Sequence, residues 1–171
     1  MPTLHLLRHA KSDWGDAGLS DHDRPLSVRG RRAAAAMAGH LRQAGVTPDL
    51  VLCSTARRAV DTLAAVRAAL PDGVVVETSA ELYAAAADQL LERLRQVPPR
   101  SSTVLLVGHN PGLEELALRL AGEGGDPAAL RRLGRKYPTG ALATLEFDGD
   151  WPGLSRGTAR LASFVTPKDL G

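Results

Sequence analysis

The stretch Thr3-Leu4-His5-Leu6-Leu7-Arg8-His9-Ala10-Lys11 passes within a few residues from an aliphatic run to a cluster of polar and basic side chains. A short apolar run of this kind reads as a buried strand, and the abrupt change at Arg8 marks its carboxyl end. The same transition recurs. Leu50 to Cys53 leads into Ser54-Thr55-Ala56-Arg57-Arg58-Ala59, and Thr103 to Val107 leads into Gly108-His109-Asn110-Pro111-Gly112. Further strands are predicted at Val74 to Glu77, Leu142 to Phe147 and Ala159 to Val165. Stretches at helical spacing lie between them, at Val28 to Ala44, Ala56 to Leu70, Ala87 to Val97 and Leu113 to Leu120. Strands alternating with helices predict an α/β fold, a three-layer α/β/α arrangement around a mostly parallel central sheet. In such a sheet ligands gather outside the carboxyl ends of the strands, so the three clusters are expected to meet.

The chain has 171 residues, a length that suits one domain spanning residues 1–171. With 44% hydrophobic and only 4% aromatic residues, the core is expected to be aliphatic. The net charge of +2 is mild, and the basic residues are interleaved with acids and lack a stacking platform, so nucleic acid is not the expected partner. The lone Cys53 cannot form an internal disulfide, no secretory leader is visible, and no apolar run approaches the ~20 residues of a membrane span. These features predict a cytoplasmic protein without a membrane partner; they leave its oligomeric state open.

The polar segment Lys11 to Arg24 is too long for a routine connection and is a candidate active-site loop. The stretch Glu123 to Gly134, with its glycines, Asp126 and Pro127, reads as a mobile loop bordering the cleft. Asn110 fits a helix N-cap and Pro111 the first helical position, a start whose free N–H groups favour an anion. His5 reads as structural, His22 and His40 as solvated, and Arg57 as the surface member of the Arg57-Arg58 pair. Two histidines with two arginines at strand ends suit a phosphoryl group, because guanidinium forks match its oxygens and imidazole nitrogen is a nucleophile for phosphorus.

Leu6-Leu7-Arg8-His9-Ala10 resembles the first signature of the histidine phosphatase (phosphoglycerate mutase-like) superfamily. Ser54-x-x-x-Arg58-Ala59-x-x-Thr62 is similar to its second signature, and Gly108-His109-Asn110-Pro111 to the segment carrying its second histidine. Asp23-Arg24-Pro25-Leu26 leading to Gly30, with Glu81-Leu82-Tyr83, resembles the SixA-like phosphohistidine phosphatase branch. The resemblance implies a nucleophile at His9, charge neutralisation and substrate binding by Arg8, Arg58 and His109, a further substrate contact at Asn110, and no cofactor. It also implies a phosphorylated protein bearing phosphohistidine, or a small phosphorylated metabolite, as the partner; a broad metabolite phosphatase and an idle phosphate-binding module are the alternatives. Glu81 is the candidate general acid, with Asp13 and Asp21 as rivals.

Other chemistries find no pattern. Four residues separate Cys53 from Arg58 where a thiolate phosphatase needs five, so Cys53 is expected in the core. No metal-ligand spacing and no Gly-rich nucleotide loop occurs, which predicts metal-independent activity.

Overall fold

The computed structural model describes all 171 residues. In chain order the elements are β1 (Thr3–Arg8), α1 (Val28–Gln43), β2 (Leu50–Ser54), α2 (Arg57–Val66), β3 (Val75–Ser79), α3 (Ala87–Arg95), β4 (Thr103–Gly108), α4 (Gly112–Leu120), α5 (Pro127–Arg135), β5 (Leu142–Phe147), β6 (Ala159–Val165) and α6 (Pro167–Leu170). The strands form one sheet in the order β3-β2-β4-β1-β5-β6. The first four are parallel, whereas β5 runs antiparallel to β1 and β6 antiparallel to β5.

Strand periodicity sends alternate residues of the same strand to opposite faces. Leu6, Leu52 and Leu106 join the core under α3, α4 and α5, while their neighbours Leu7, Cys53 and Val107 join the core under α1 and α2. Both faces of β1, β2 and β4 are therefore covered, which is why these strands read as continuous apolar runs rather than alternating ones. No helix is long and apolar enough to cross a membrane.

One expectation is corrected. Residues 127–135 are the helix α5, not a loop: Asp126 caps it by accepting from the Ala128 N–H at 3.2 Å, Pro127 takes its first position, and Ala129 and Leu133 are buried. The glycines before Asp126 hid the apolar spacing behind them. The core is aliphatic as composition implies, apart from four buried aromatic side chains, Tyr137, Phe147, Trp151 and Phe164. They pack edge to face as Phe147–Trp151 and Tyr137–Phe164, with ring centroids 5.0 and 5.1 Å apart.

The long segment after β1 is tied at both ends. Ser12 bridges to Leu26, the Asp13 N–H donates to the Pro25 carbonyl at 2.8 Å, and the Lys11 carbonyl accepts the Ser27 N–H at 2.9 Å. Gly30 on α1 lies so close that an added Cβ would stand 2.0 Å from the Lys11 carbonyl oxygen, so only glycine lets the helix lie against the strand end. Gly39, on the same helix, has open space where a Cβ would go. Gly30→Ala is therefore expected to lower stability by about 1–3 kcal/mol, as overpacked sites do. Gly39→Ala is expected to raise it by ~0.5–1 kcal/mol through helix propensity. Urea unfolding of both variants checks this contrast; equal effects would mean that the close approach of α1 to Lys11 does not constrain the fold.

Candidate active site

The site is built by strand register. Arg8 of β1 lies directly opposite Gly108 of β4, so the next residue of each strand, His9 and His109, emerges at the same level. Their ring centroids are 5.1 Å apart. On the other side of β4, β2 ends at Ser54 and delivers the first turn of α2 with Arg58.

His9 Nδ1 lies 2.7 Å from the Ala10 carbonyl oxygen. A carbonyl only accepts, so Nδ1 carries the proton and Nε2 keeps a free lone pair. Burial pushes the His9 pKa down to about 3, with the nearby His109, Arg58 and Arg8 lowering it further against the pull of the Ala10 bond. The ring is neutral at physiological pH. Ala10 is itself fixed: its N–H donates to Thr62 Oγ1 at 2.9 Å, and that hydroxyl donates to the Arg58 carbonyl at 2.7 Å. The Arg58 to Thr62 spacing is one helical turn, which puts both residues on the face of α2 that meets the strand ends. Gly140, at φ +76°, turns its N–H onto the Arg8 and His9 carbonyls at 3.1 and 2.9 Å.

Three guanidinium groups surround the histidines. Arg8 donates from Nη1 to the Tyr137 carbonyl at 2.9 Å. Arg58 donates to the Asp21 carbonyl at 2.7 Å and to Asp21 Oδ2 at 3.1 Å, and Arg24 pairs with Asp21 Oδ1 at 3.0 Å. The Trp14 ring lies over the Arg24 guanidinium at 3.3 Å, closing its other side. Asp21 also accepts the Tyr83 hydroxyl at 2.5 Å; that bond, more than the two arginines, holds its carboxyl below the usual range.

Several buried donors nonetheless have no partner in the protein: Nε of Arg8, Arg24 and Arg58, and Nη1 of Arg24. His109 Nδ1 is buried and unpaired too. His109 Nε2 lies 2.8 Å from Ser54 Oγ, which already accepts the Ala56 N–H at 3.2 Å. The Ser54 bond fixes the ring through Nε2 and leaves Nδ1 without a partner in the protein. Burial, with Arg58 next, brings the His109 pKa down to about 4.

These groups border a cavity of about 330 Å³ lined by Arg8, His9, Lys11, Ser12, Trp14, Arg24, Arg58, His109, Asn110 and Thr139. No carboxylate lines it. A lone pair on a neutral imidazole, in a cavity lined by three guanidinium groups and by no carboxylate, suits a tetrahedral oxyanion. No group of three His, Cys, Asp or Glu side chains is placed to hold a metal ion.

All five residues expected at the cavity, Arg8, His9, Arg58, His109 and Asn110, line it. Glu81 does not. It is exposed in the single turn Ala80–Leu82 and lines a separate depression with Gln89, Glu92, Arg93 and Gln96. The residue that this segment turns toward the site is Tyr83, whose ring meets that of His109 edge to face at 5.6 Å. Asp13 closes its own turn onto the Gly15 N–H at 2.7 Å. Asn110 is not the N-cap of α4, which Pro111 occupies; its Oδ1 accepts the Glu114 N–H at 3.3 Å and its Nδ2 donates to the Tyr137 carbonyl at 2.9 Å. His22, expected to be solvated, is half-buried, with Nε2 2.9 Å from Thr55 Oγ1.

Arg57 is exposed beside Asp61, and Cys53 is buried in the core, where burial pushes its thiol up to about 12. His5 is buried, with Nδ1 2.8 Å from Thr144 Oγ1. Sequence reasoning assigned no part in the site to Arg24, Trp14, Tyr83 or Tyr137. The visible signal was the Asp21-x-x-Arg24-Pro25 run, in which a basic residue closes a long polar loop.

A histidine site with convergent arginines, at the carboxyl ends of a mostly parallel sheet, defines a phosphoryl-transfer protein. Residues 4–83 match the family model of the histidine phosphatase superfamily (branch 1). An uncharacterized protein of Mycobacterium tuberculosis strain H37Rv is 40% identical over 163 residues, covering 95% of this chain and 100% of that one. The structure of the Nakamurella multipartitia protein assigned as phosphohistidine phosphatase SixA superposes with a TM-score of 0.83 at 35% identity, covering 97% of this chain and 96% of that one. Its counterpart assigned as SixA in Agrobacterium tumefaciens gives 0.82 at 31% identity, covering 98% and 99%. The chain belongs to the histidine phosphatase superfamily, in its SixA-like branch, with the phosphoglycerate mutase-like α/β fold and the phosphatase character of that family.

The three buried histidines set a pH dependence. Folding lowers His5, His9 and His109 from 6.5 to about 4, 3 and 4. Below pH 6.5 the unfolded chain takes up protons that the folded chain refuses, so stability is complete above that value and falls as the pH drops toward about 4. The melting temperature is expected to decline steadily over that window, and the ring NMR signals of the three histidines to stay unshifted until its lower end. Ring signals moving with a midpoint near the ordinary 6.5 would contradict the buried neutral state.

Proposed function

We propose that the protein hydrolyses phosphohistidine on proteins through a covalent phosphohistidine at His9. The observation that carries this reading is the pairing of the free His9 Nε2 with a cavity lined by Arg8, Arg24, Arg58 and His109 and by no carboxylate. In the first step Nε2 bonds to phosphorus as the P–N bond of the substrate breaks. The leaving imidazole, protonated on its other nitrogen, departs as a neutral ring and needs no acid from the enzyme. An alkoxide leaving group would need a proton; Glu81 lines a separate depression, Asp13 closes its own turn, and Asp21 is held by Arg24, Arg58 and Tyr83 outside the cavity lining.

Charge on the equatorial oxygens is met by Arg8, Arg24, Arg58 and His109, which line the cavity. In the intermediate, the His9 ring keeps its Nδ1 proton on the Ala10 carbonyl and so retains imidazolium character, which makes it a good leaving group in turn. Water then attacks phosphorus, inorganic phosphate leaves, and His9 returns to its neutral form. No step calls on a metal, and turnover is expected to persist in chelator. The cytoplasm, where phosphohistidine proteins occur in signalling and phosphotransfer chains, is the compartment that fits this activity.

The deciding experiment follows phosphate release from a phosphohistidine protein and from p-nitrophenyl phosphate. The native enzyme is expected to prefer the protein, and His9→Ala to release phosphate from neither and to form no acid-labile phosphoenzyme. A preference for the small ester would leave the nucleophile standing and remove the phosphohistidine assignment. Binding of the phosphoprotein without turnover would make the chain a recognition module.

Arg58→Ala is expected to lower kcat/KM by about 10²–10³-fold on both substrates, the usual loss for one donor to a developing charge. Glu81→Gln should leave both rates unchanged. A large loss in that variant would reinstate Glu81 as the general acid.

A further inference from the structure

A second, larger cavity opens beside the catalytic one. It measures about 800 Å³ and is lined by Lys11, Arg29, Arg32, Lys136 and Lys168, with no Asp or Glu among its lining residues. Lys11 and Thr139 line both cavities, so the two adjoin. The five cations come from separate parts of the chain: the end of β1, the first turns of α1, the C-cap of α5, and α6. None of them takes part in the ion pairs of the protein, which use other arginines and His22. A net charge of only +2 for the whole chain makes this concentration a local feature.

An ordinary solvated basic face would be convex and interspersed with acids. Here the charges converge on one concavity whose apolar lining is Ala33 and Ala36, with no aromatic ring for a base to stack on, which disfavours nucleotides and nucleic acid. The volume exceeds that of the catalytic cavity more than twofold and so has room for several residues of a polypeptide rather than one more phosphate.

We propose that this groove seats an acidic segment of the phosphorylated protein substrate. Its carboxylates face Arg29, Arg32, Lys136 and Lys168 while the phosphorylated side chain enters the catalytic cavity past Lys11 and Thr139. The proposal rests on the phosphohistidine-protein reading above and adds a sequence preference to it. Exposed charges of this kind act through the encounter and the bound complex, not the chemical step, and are screened by salt.

The test uses the triple variant Arg29→Glu/Arg32→Glu/Lys168→Glu and two peptides, each with one phosphohistidine, flanked by glutamates in one and by glutamines in the other. The substituted side chains are exposed, and a glutamate at position 29, in the first turn of α1, suits the helix dipole, so the variant is expected to fold, as its melting temperature will show. The native protein is expected to have the lower KM for the glutamate peptide, an advantage that fades at high salt. The variant should raise that KM by on the order of tenfold, as several exposed pairs lost together would, with kcat unchanged. Its kinetics on the glutamine peptide and p-nitrophenyl phosphate should match the native ones. Should the triple variant fail to fold, Lys168→Glu alone reads the same shift at smaller size.

Fluorescence anisotropy of the unphosphorylated glutamate peptide reads the groove without turnover, so the absence of phosphohistidine hydrolysis would not mask the result. Equal affinity of the native protein for the two peptides, or an equal loss on p-nitrophenyl phosphate, would overturn the proposal. So would an effect confined to small bisphosphorylated compounds, which would make the groove a subsite for a second phosphate.

Discussion

The bond between His9 Nδ1 and the carbonyl of Ala10 is the constraint on which the site depends. It selects the tautomer, and with it which nitrogen is a nucleophile, before any substrate arrives. Its value rests on the rigidity of one peptide unit, and much of the surrounding structure serves to hold that unit still. Thr62 clasps the Ala10 N–H from α2, Gly140 clasps the Arg8 and His9 carbonyls from the β5 side, and Gly30 brings α1 against Lys11. Three helices and strands distant in sequence thus converge on residues 8–11. A shift in any of them would rotate the imidazole, and no other side chain could compensate.

The same neighbourhood shows what the site costs the fold. Buried guanidinium nitrogens and a buried imidazole nitrogen without partners are unfavourable, each lacking the hydrogen bond that burial ordinarily demands. Asp21 offsets part of this by touching Arg24, Arg58 and Tyr83 at once, and it does so from outside the cavity. Positive charge is therefore held in place without being neutralised toward the phosphate. This division of labour explains how a polar loop without regular structure for most of its length can still define one wall of an active site.

The fold was legible in the sequence because its parallel strands are buried on both faces, and such strands stand out as aliphatic runs ending in polar clusters. The register of β1 against β4 was not legible, yet the motif order after those strands was enough to place His9 and His109 together. Asn110 gave up the N-cap of α4 to Pro111, and three further readings failed for local reasons. The helix α5 follows a glycine-rich turn that resembles a loop, Glu81 sits on an edge segment whose inward residue is two positions later, and His22 is drawn out of solvent by Thr55. Arg24 escaped notice because its role depends on a loop folding back upon itself. Sequence spacing does not encode such a closure unless it falls at helix or strand periodicity.

The distribution of the aromatic residues carries a practical consequence. One tryptophan, Trp14, is 74% exposed at the rim of the cavity, and the other, Trp151, is 2% exposed in the core beside Phe147. The chain thereby contains two optical labels of opposite character, a solvent-facing indole stacked on a site arginine and a shielded indole bonded to the Ser101 carbonyl. Their emission separates by wavelength. Quenching by a water-soluble iodide salt would report on the mouth of the site through the first label, while the second follows the integrity of the core, so ligand entry and unfolding are recorded independently in a single unmodified sample.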